Sequence, residues 1–363
     1  MHNEGHNIGN IIIGASFSLF SGLLFTLNRA INDLLDLNFV NTLLIVFIFR
    51  SLFFCMVIFY QSSSETTMEN NEECEPQSWW IYTVDKGKNI YVIRLFLILQ
   101  GLFGGLNNLG AFLAVTLMPI GDAHALIFSA PLPTMILSKL IFGTRLKLYK
   151  FLCGISVFMG IVCIAKPSFL FENQESLLNE TLINVDDYES DFLENNGVYN
   201  KTYIYGIAAA LLASVSRGCQ ATTINYLHRN KSTKPANLIG LYSGLGGLII
   251  PLIALLFNRE QFIDFNRNIN AIKESGLICI GIFSALGTFM LIKSIELIGS
   301  ILESFCRTSD IIIAYLIQVI LFHEEINLLS LLGSGFIIGS IMMMALEKVI
   351  VENVPYKCLR NIL

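Results

Sequence analysis

The stretch RLKLYKFLCGISVFMG, residues 145–160, has a counterpart in EEINLLSLLGSGFIIG, residues 324–339, 179 positions further along the chain. Arg145 stands against Glu324, Gly154 against Gly333 and Gly160 against Gly339, and each stretch closes an apolar block. The blocks also open alike, on Pro119-Ile120-Gly121 in the first and Ile298-Gly299-Ser300 in the second. A long-period repeat takes precedence over other fold signals, because each copy is a structural unit. The chain therefore divides into two halves.

Composition identifies the solvent. Hydrophobic residues make up 54% of the chain and charged residues 14%, with a mean hydropathy of +0.63. Soluble domains carry about 25% charged residues. The solvent is lipid. The net charge of -5 comes mostly from two hydrophilic stretches and does not point to a basic partner; nucleic acid is not expected. Six of the eight cysteines (Cys55, Cys153, Cys163, Cys219, Cys279 and Cys306) lie in apolar runs, where Cys acts as a small hydrophobe, so free thiols are expected.

A spanning helix needs about 20 mostly apolar residues. Ten runs qualify: 8–28, 39–60, 93–118, 122–142, 149–166, 203–226, 236–257, 274–295, 299–321 and 328–347. Pro119 and the Gly121-Asp122 step predict a turn at the first tight junction, with Asp122 able to cap the helix that follows. A matching break at 296–299 is expected by analogy. Met1 to Asn10 contains no Lys or Arg, so the first span is not expected to be a cleaved signal peptide.

Lys and Arg set the orientation. With a cytoplasmic N-terminus, Lys86, Lys88, Arg145, Lys147, Lys150, Arg229, Lys231, Lys234, Lys348, Lys357 and Arg360 fall inside, against Arg29, Lys166, Lys201, Arg259, Arg267 and Lys273 outside. Both termini are expected in the cytoplasm. The acidic loop 167–202 is then non-cytoplasmic, and its sequons at Asn179 and Asn200 are candidate glycosylation sites; the sequon at Asn230 should stay bare. Five spans per half is an odd number, so the second half enters the membrane in the opposite sense. The expected fold is an all-α polytopic membrane protein with ten transmembrane helices in two inverted five-helix repeats, over 8–166 and 203–347, followed by a tail at 348–363. Inverted repeats are a recurring plan of secondary transporters, with the substrate near the midplane.

The stretch from Ile120-Gly121-Asp122-Ala123-His124 to Ala130-Pro131, ending in Lys166-Pro167-Ser168-Phe169, resembles the first EamA domain of the drug/metabolite transporter superfamily. Ile295-Glu296, Arg307-Thr308-Ser309-Asp310, Gln318 and Phe322-His323-Glu324 carry the likeness in the second half, which is greatest to the group G, member 1-like proteins of solute carrier family 35. The resemblance implies a ten-helix carrier of small, polar or anionic metabolites. Arg145 stands where an EamA domain usually has Glu, and Lys293 where a small residue is common.

Charges within the hydrocarbon mark candidate function. Arg50 lies midway along the second span with no acidic residue in that run, so its partner is either substrate, lipid headgroups or a carboxylate on another helix. Glu303, Arg307 and Asp310 are spaced i, i+4 and i+7, which places them on one helical face. That stripe either neutralises itself or presents Arg307 to an anion, with Glu303 or Asp310 tuning it or carrying a proton. Guanidinium geometry suits carboxylate and phosphate. Arg217 is a further substrate candidate. Pro131 and Pro133 predict a kink that lets Phe128, Ser129 and Thr134 line a cavity. Asp122, Pro131, Pro133, Glu296 and Glu324 are candidates for structural or gating roles. Arg94 and Lys139 are expected to snorkel. Gly101 with Gly105, Gly240 with Gly244 and Gly335 with Gly339 have small-xxx-small spacing suited to close helix packing.

The expected activity is carriage of a small organic anion, with a proton or counter-anion as co-substrate, in the plasma membrane or an endomembrane of ER or Golgi. The expected partners are that anion and the bilayer, and a homodimer is a compatible assembly. A membrane-embedded acyltransferase-like enzyme and a non-transporting assembly or regulatory protein are the alternatives. His2, His6, His124, His228 and His323 show no metal spacing, and there is no G-x-S-x-G elbow or phosphate loop. No catalytic residue, metal or cofactor is expected.

Overall fold

The computed structural model describes residues 4–35, 37, 39–68, 90–118, 120–143, 148–165, 189–229, 236–257, 271–313 and 328–353. Among them every regular element is an α-helix: α1 (Glu4–Leu34), α2 (Phe39–Met68), α3 (Ile90–Leu117), α4 (Ile120–Ile127), α5 (Pro131–Phe142), α6 (Leu148–Ala165), α7 (Glu189–Arg229), α8 (Ala236–Phe257), α9 (Ala271–Ile298), α10 (Ser300–Arg307) and α11 (Leu328–Asn353). Residues 309–313 are helical as well. Five helices are long and apolar enough to cross a bilayer, over Gly9–Asn32, Val40–Tyr60, Tyr91–Leu117, Ala236–Leu256 and Ala271–Ile298. Pro131–Phe142, Tyr149–Ile164 and Leu331–Glu347 are shorter apolar helices.

The helices break where the backbone requires it. Gly299 has φ of +79°, which favours glycine, and its N–H closes α9 on the Ile295 carbonyl at 2.9 Å. The break expected there by analogy is present. Gly143, at φ +60°, ends α5 in the left-handed conformation and donates to the Lys139 carbonyl. Residues 128–130 separate α4 from α5, so the proline pair stands at the start of a helix and interrupts none. α7 begins at Glu189, within the stretch expected to be loop.

The bundle is apolar outside, as lipid solvent demands, and buries polar side chains among its apolar core. Leu52, Met56 and Phe59 face outward at 56%, 65% and 62% exposure, whereas Ser18, Ser21, Gln100, Thr222 and Ser284 are buried. Buried hydroxyls need partners. Ser294 donates to the Gly14 carbonyl at 2.8 Å and Gln100 to the Ile239 carbonyl at 2.7 Å, tying α9 to α1 and α3 to α8.

Glycine sets the closest crossings. A Cβ on Gly101 of α3 would lie 2.8 Å from the Cα of Gly246 on α8. A Cβ on Gly160 of α6 would lie 2.6 Å from the Gly333 carbonyl oxygen of α11, and the reciprocal distance is the same. Gly240 and Gly244 pack on Phe54 and Ser51 of α2. Gly335 and Gly339, expected to pack closely, have nothing within 4 Å of the point where a Cβ would stand; α11 is turned so that Gly333 makes the crossing instead. The principal packed pairs are α3 with α7, α1 with α9, α2 with α8, α6 with α11, α3 with α8 and α2 with α9. α5 packs on α7 and α10, and α1 on α10. The six cysteines named above are free thiols.

Candidate functional site

Six helices surround a cavity of about 570 Å3, open solvent included. Phe25 and Arg29 of α1, Arg50 of α2, and Asn107 and Asn108 of α3 form one side. Arg217, Gln220, Ala221 and Ile224 of α7, Thr288, Leu291 and Ile295 of α9, and Glu303 and Arg307 of α10 complete it. Four guanidinium groups and a single carboxyl thus line the cavity.

Arg50 is 3% exposed. Its Nη2 donates to Ser284 Oγ of α9 at 2.7 Å, and the guanidinium lies over the Phe47 ring, 4.8 Å from the centroid. Nε has no partner among the described residues, and no carboxylate there forms an ion pair with this side chain. The neighbouring-helix group that meets Arg50 is the Ser284 hydroxyl.

Arg307 is held on three sides. Nε donates to Asp310 Oδ2 at 2.5 Å, Nη1 donates to Ser21 Oγ of α1 at 3.0 Å, and the guanidinium lies 4.5 Å from the Phe25 centroid. Ser21 in turn donates to the Gly287 carbonyl of α9 at 2.7 Å. Asp310 lies so close to Gly22 that any Cβ there would collide with its carboxylate.

The one-face stripe expected for Glu303, Arg307 and Asp310 is corrected. α10 ends at Arg307, and Thr308 is a turn. Thr308 and Ser309 donate their hydroxyls to the Phe305 and Cys306 carbonyls at 2.6 Å each, competing with the helical ladder. Arg307 pairs with Asp310 across this break, and Glu303 forms no ion pair with it. Glu303 is 1% exposed, its Oε1 has no partner among the described residues, and Arg217, Arg307 and Asp310 are in electrostatic range. Arg217, half-buried, makes no direct ion pair among the described residues.

Ser129, Phe128 and Thr134 are absent from this lining. Ser129 Oγ donates to the Leu126 carbonyl at 2.6 Å and meets Ser214 Oγ of α7 at 3.1 Å. Thr134 meets Ser304 and Ser138 meets Ser300, both at 3.3 Å, and Asn225 donates to Ser300 at 3.0 Å. The fourth and ninth spans do touch, through hydroxyls, while α10 contributes Glu303 and Arg307, and neither of these hydroxyls, to the cavity. Pro131 and Pro133 lie in the first turn of α5. Glu296 pairs with Lys293 at 2.9 Å, away from the lining. Arg94 and Lys139 are exposed at the bundle surface. Asp122 lies on α4 and Asn200 on α7, where only the helix itself is described. Glu324 and Asn179 fall outside the described residues, as do Gln318, Phe322 and His323.

Sequence reasoning missed Arg29, which counts as a loop charge by position but lines the cavity with its guanidinium over Phe128. It also missed Asn107, Asn108, Gln220 and Thr288. The available signal was the recurrence of amides within apolar runs, since an unpaired amide in hydrocarbon is costly.

A family model described as "EamA-like transporter family" matches residues 8–166 and again 204–346. The chain is 23% identical to the Saccharomyces cerevisiae protein named "Probable transport protein YPL264C", over 92% of this chain and 87% of that one. It is 22% identical to human "Solute carrier family 35 member G1" and 23% identical to the mouse protein of that name, over 64% of this chain and 56% of each relative. A solved crystal structure of 12% sequence identity superposes with a TM-score of 0.56, covering 94% of this chain and 99% of the other, a likeness of fold alone. With two matches that together take in most of its length, this multi-pass membrane protein belongs to the EamA-like transporter family.

Proposed function

We propose that this chain is a secondary-active or facilitative carrier of a small organic anion, bearing carboxylate or phosphoryl groups or linked to a nucleotide, working by alternating access. The observation that carries the reading is the cavity wall of Arg29, Arg50, Arg217 and Arg307 with Glu303 as its one acid. A concentration of guanidinium groups in low dielectric favours an anion, and its planar donor fork matches carboxylate and phosphate.

The packing supports ten spans in two inverted repeats. Take α4 with α5 as one span and α10 with residues 309–313 as another, then exchange the first five spans for the last five. The pair α1 with α9 becomes α7 with α3, and α3 with α8 becomes α9 with α2; α2 with α8, α6 with α11 and α5 with α10 map onto themselves. Such an exchange relation suits a site between halves that rock against each other. The Lys and Arg bias supports an orientation with both termini in the cytoplasm and 167–202 on the opposite side, in a plasma membrane or endomembrane.

Purified protein in proteoliposomes, offered labelled carboxylates, phosphorylated metabolites and nucleotide sugars, tests the reading. At least one anion should show saturable flux, cut about tenfold or more by Arg217→Gln, the loss of one charged hydrogen bond. Absence of flux for every anion in correctly inserted protein, or preference for a cation, overturns it.

A further inference from the structure

Two side chains of the cavity lining carry a buried oxygen without a partner among the described residues: Asn107 Oδ1 on α3 and Glu303 Oε1 on α10. Buried acceptors are normally met, and one left bare in low dielectric is costly. Neighbouring donors are spent elsewhere. Asn108 turns its Nδ2 onto the Gly104 carbonyl one turn back at 2.9 Å, and Thr288 gives its hydroxyl to the Ser284 carbonyl at 2.8 Å. Ser18 of α1 donates to the Glu303 backbone carbonyl at 3.5 Å, not to the carboxyl. α3 packs chiefly on α7 and α8, and α10 on α1, α5, α7 and α11, so the cavity is the space that Asn107 and Glu303 have in common.

The rest of the lining decides which donor suits these oxygens. Arg29, Arg50, Arg217 and Arg307 can only donate, and they select an anion. An anion whose polar atoms all accept, such as a plain alkyl carboxylate, would serve the guanidinium groups and leave both oxygens unmet. An ammonium group would supply a donor but be repelled by the four guanidinium groups. A hydroxyl group supplies it without charge. Because a hydroxyl both donates and accepts, it suits the Glu303 carboxyl whether ionised or protonated, and the amide oxygen of Asn107 accepts in either case. We propose that the carried anion bears a hydroxyl group and that Asn107 reads it, Oδ1 accepting the hydroxyl hydrogen, with Glu303 Oε1 open to a second hydroxyl. This selectivity does not depend on the number of charges on the anion or on the ionisation of Glu303 and Asp310. It rests on the anion-carrier reading above and names the neutral part of the substrate.

The test uses full-length protein in proteoliposomes and labelled anions in matched sets. Malate, fluorosuccinate and succinate carry hydroxyl, fluorine or hydrogen at one carbon, and fluorine keeps bulk without a donor. Glycerol 3-phosphate and propyl phosphate form the phosphate set. In at least one set the wild type should carry the hydroxylated member with a kcat/KM about tenfold or more above that of its deoxy partner, because the partner leaves a buried acceptor unpaired. Fluorosuccinate should behave as succinate does. Asn107→Leu, which removes the acceptor at similar size, should bring the hydroxylated-to-deoxy ratio to within about twofold of unity. Asn107→Ala adds no bulk and favours helix, so it should do the same and covers the case in which the Leu variant does not fold. Equal transport of hydroxylated and deoxy members by the wild type, or fluorosuccinate carried as well as malate, overturns the hydroxyl reading and leaves the carrier standing. A preference that survives both substitutions overturns the role of Asn107. No flux of any of these probes by the wild type overturns the hydroxyl-anion assignment, and extension of that failure to the whole anion panel overturns the carrier reading.

Discussion

Replacing Arg50 with Met separates binding from stability. The native side chain is 3% exposed and, among the described residues, meets Ser284 Oγ at 2.7 Å and the Phe47 ring at 4.8 Å. An arginine near the bilayer centre costs about 2.5–3.5 kcal/mol on insertion scales. Against this stand a charged hydrogen bond of about 1.5–3 kcal/mol and a cation–π contact of about 0.5–2 kcal/mol. The terms nearly cancel, so Arg50→Met should change stability by no more than about 2 kcal/mol in either direction. Met keeps most of the length, and the released Ser284 hydroxyl can donate to a carbonyl one turn back along α9. An anion bound by Arg50, in contrast, loses a charged donor worth about 1.5–3 kcal/mol, or roughly 10- to 150-fold in affinity. Thermal unfolding in detergent and concentration-dependent flux in proteoliposomes read the two quantities separately. The expected pattern is an unfolding midpoint within a few degrees of wild type and a KM raised at least about tenfold. A wild-type KM in correctly inserted protein refutes the binding role, and if it comes with a large fall in the midpoint, Arg50 is a packing residue.

Two further outcomes follow from the geometry. Gly160→Val places a side chain against the Gly333 carbonyl, where even a Cβ would stand at 2.6 Å, and should destabilise by about 1–3 kcal/mol or more. Gly339→Ala, with open space around it, should be neutral or gain up to about 1 kcal/mol of helix propensity; equal losses in both variants by thermal unfolding would show the α6–α11 crossing to be misassigned. For topology, expression in a glycosylating cell should give a glycosidase-sensitive mass shift that disappears in an Asn179→Gln, Asn200→Gln double variant, while Asn230→Gln changes nothing. A shift that depends on Asn230 would invert the orientation.

The membrane class and the two-halved plan were legible along the chain because hydropathy and repetition are local properties: about 20 apolar residues declare a span wherever they pack. Gly299 could be read as a break because only its backbone conformation matters. Arg50 and Arg307 stood out for the same kind of reason, each a charge inside an apolar run. The break after Arg307 was less visible, since the hydroxyls of Thr308 and Ser309 turn onto preceding carbonyls there just as those of Ser275 and Thr288 do inside the unbroken α9. What faces what was not legible. Whether α11 presents Gly333 or Gly339 to α6 is a matter of rotation about the helix axis, decided by packing between segments far apart in sequence. The same holds for the site. Sequence singled out Phe128, Ser129 and Thr134 as cavity-lining residues, whereas tertiary structure leaves them out and brings Glu303 and Arg307 together with Arg50 and Arg217. The sequence by itself determined the solvent and the two-halved repeat; only the fold decided which buried charges share a cavity, because helix rotation and partner choice minimise unpaired polar surface across the whole bundle.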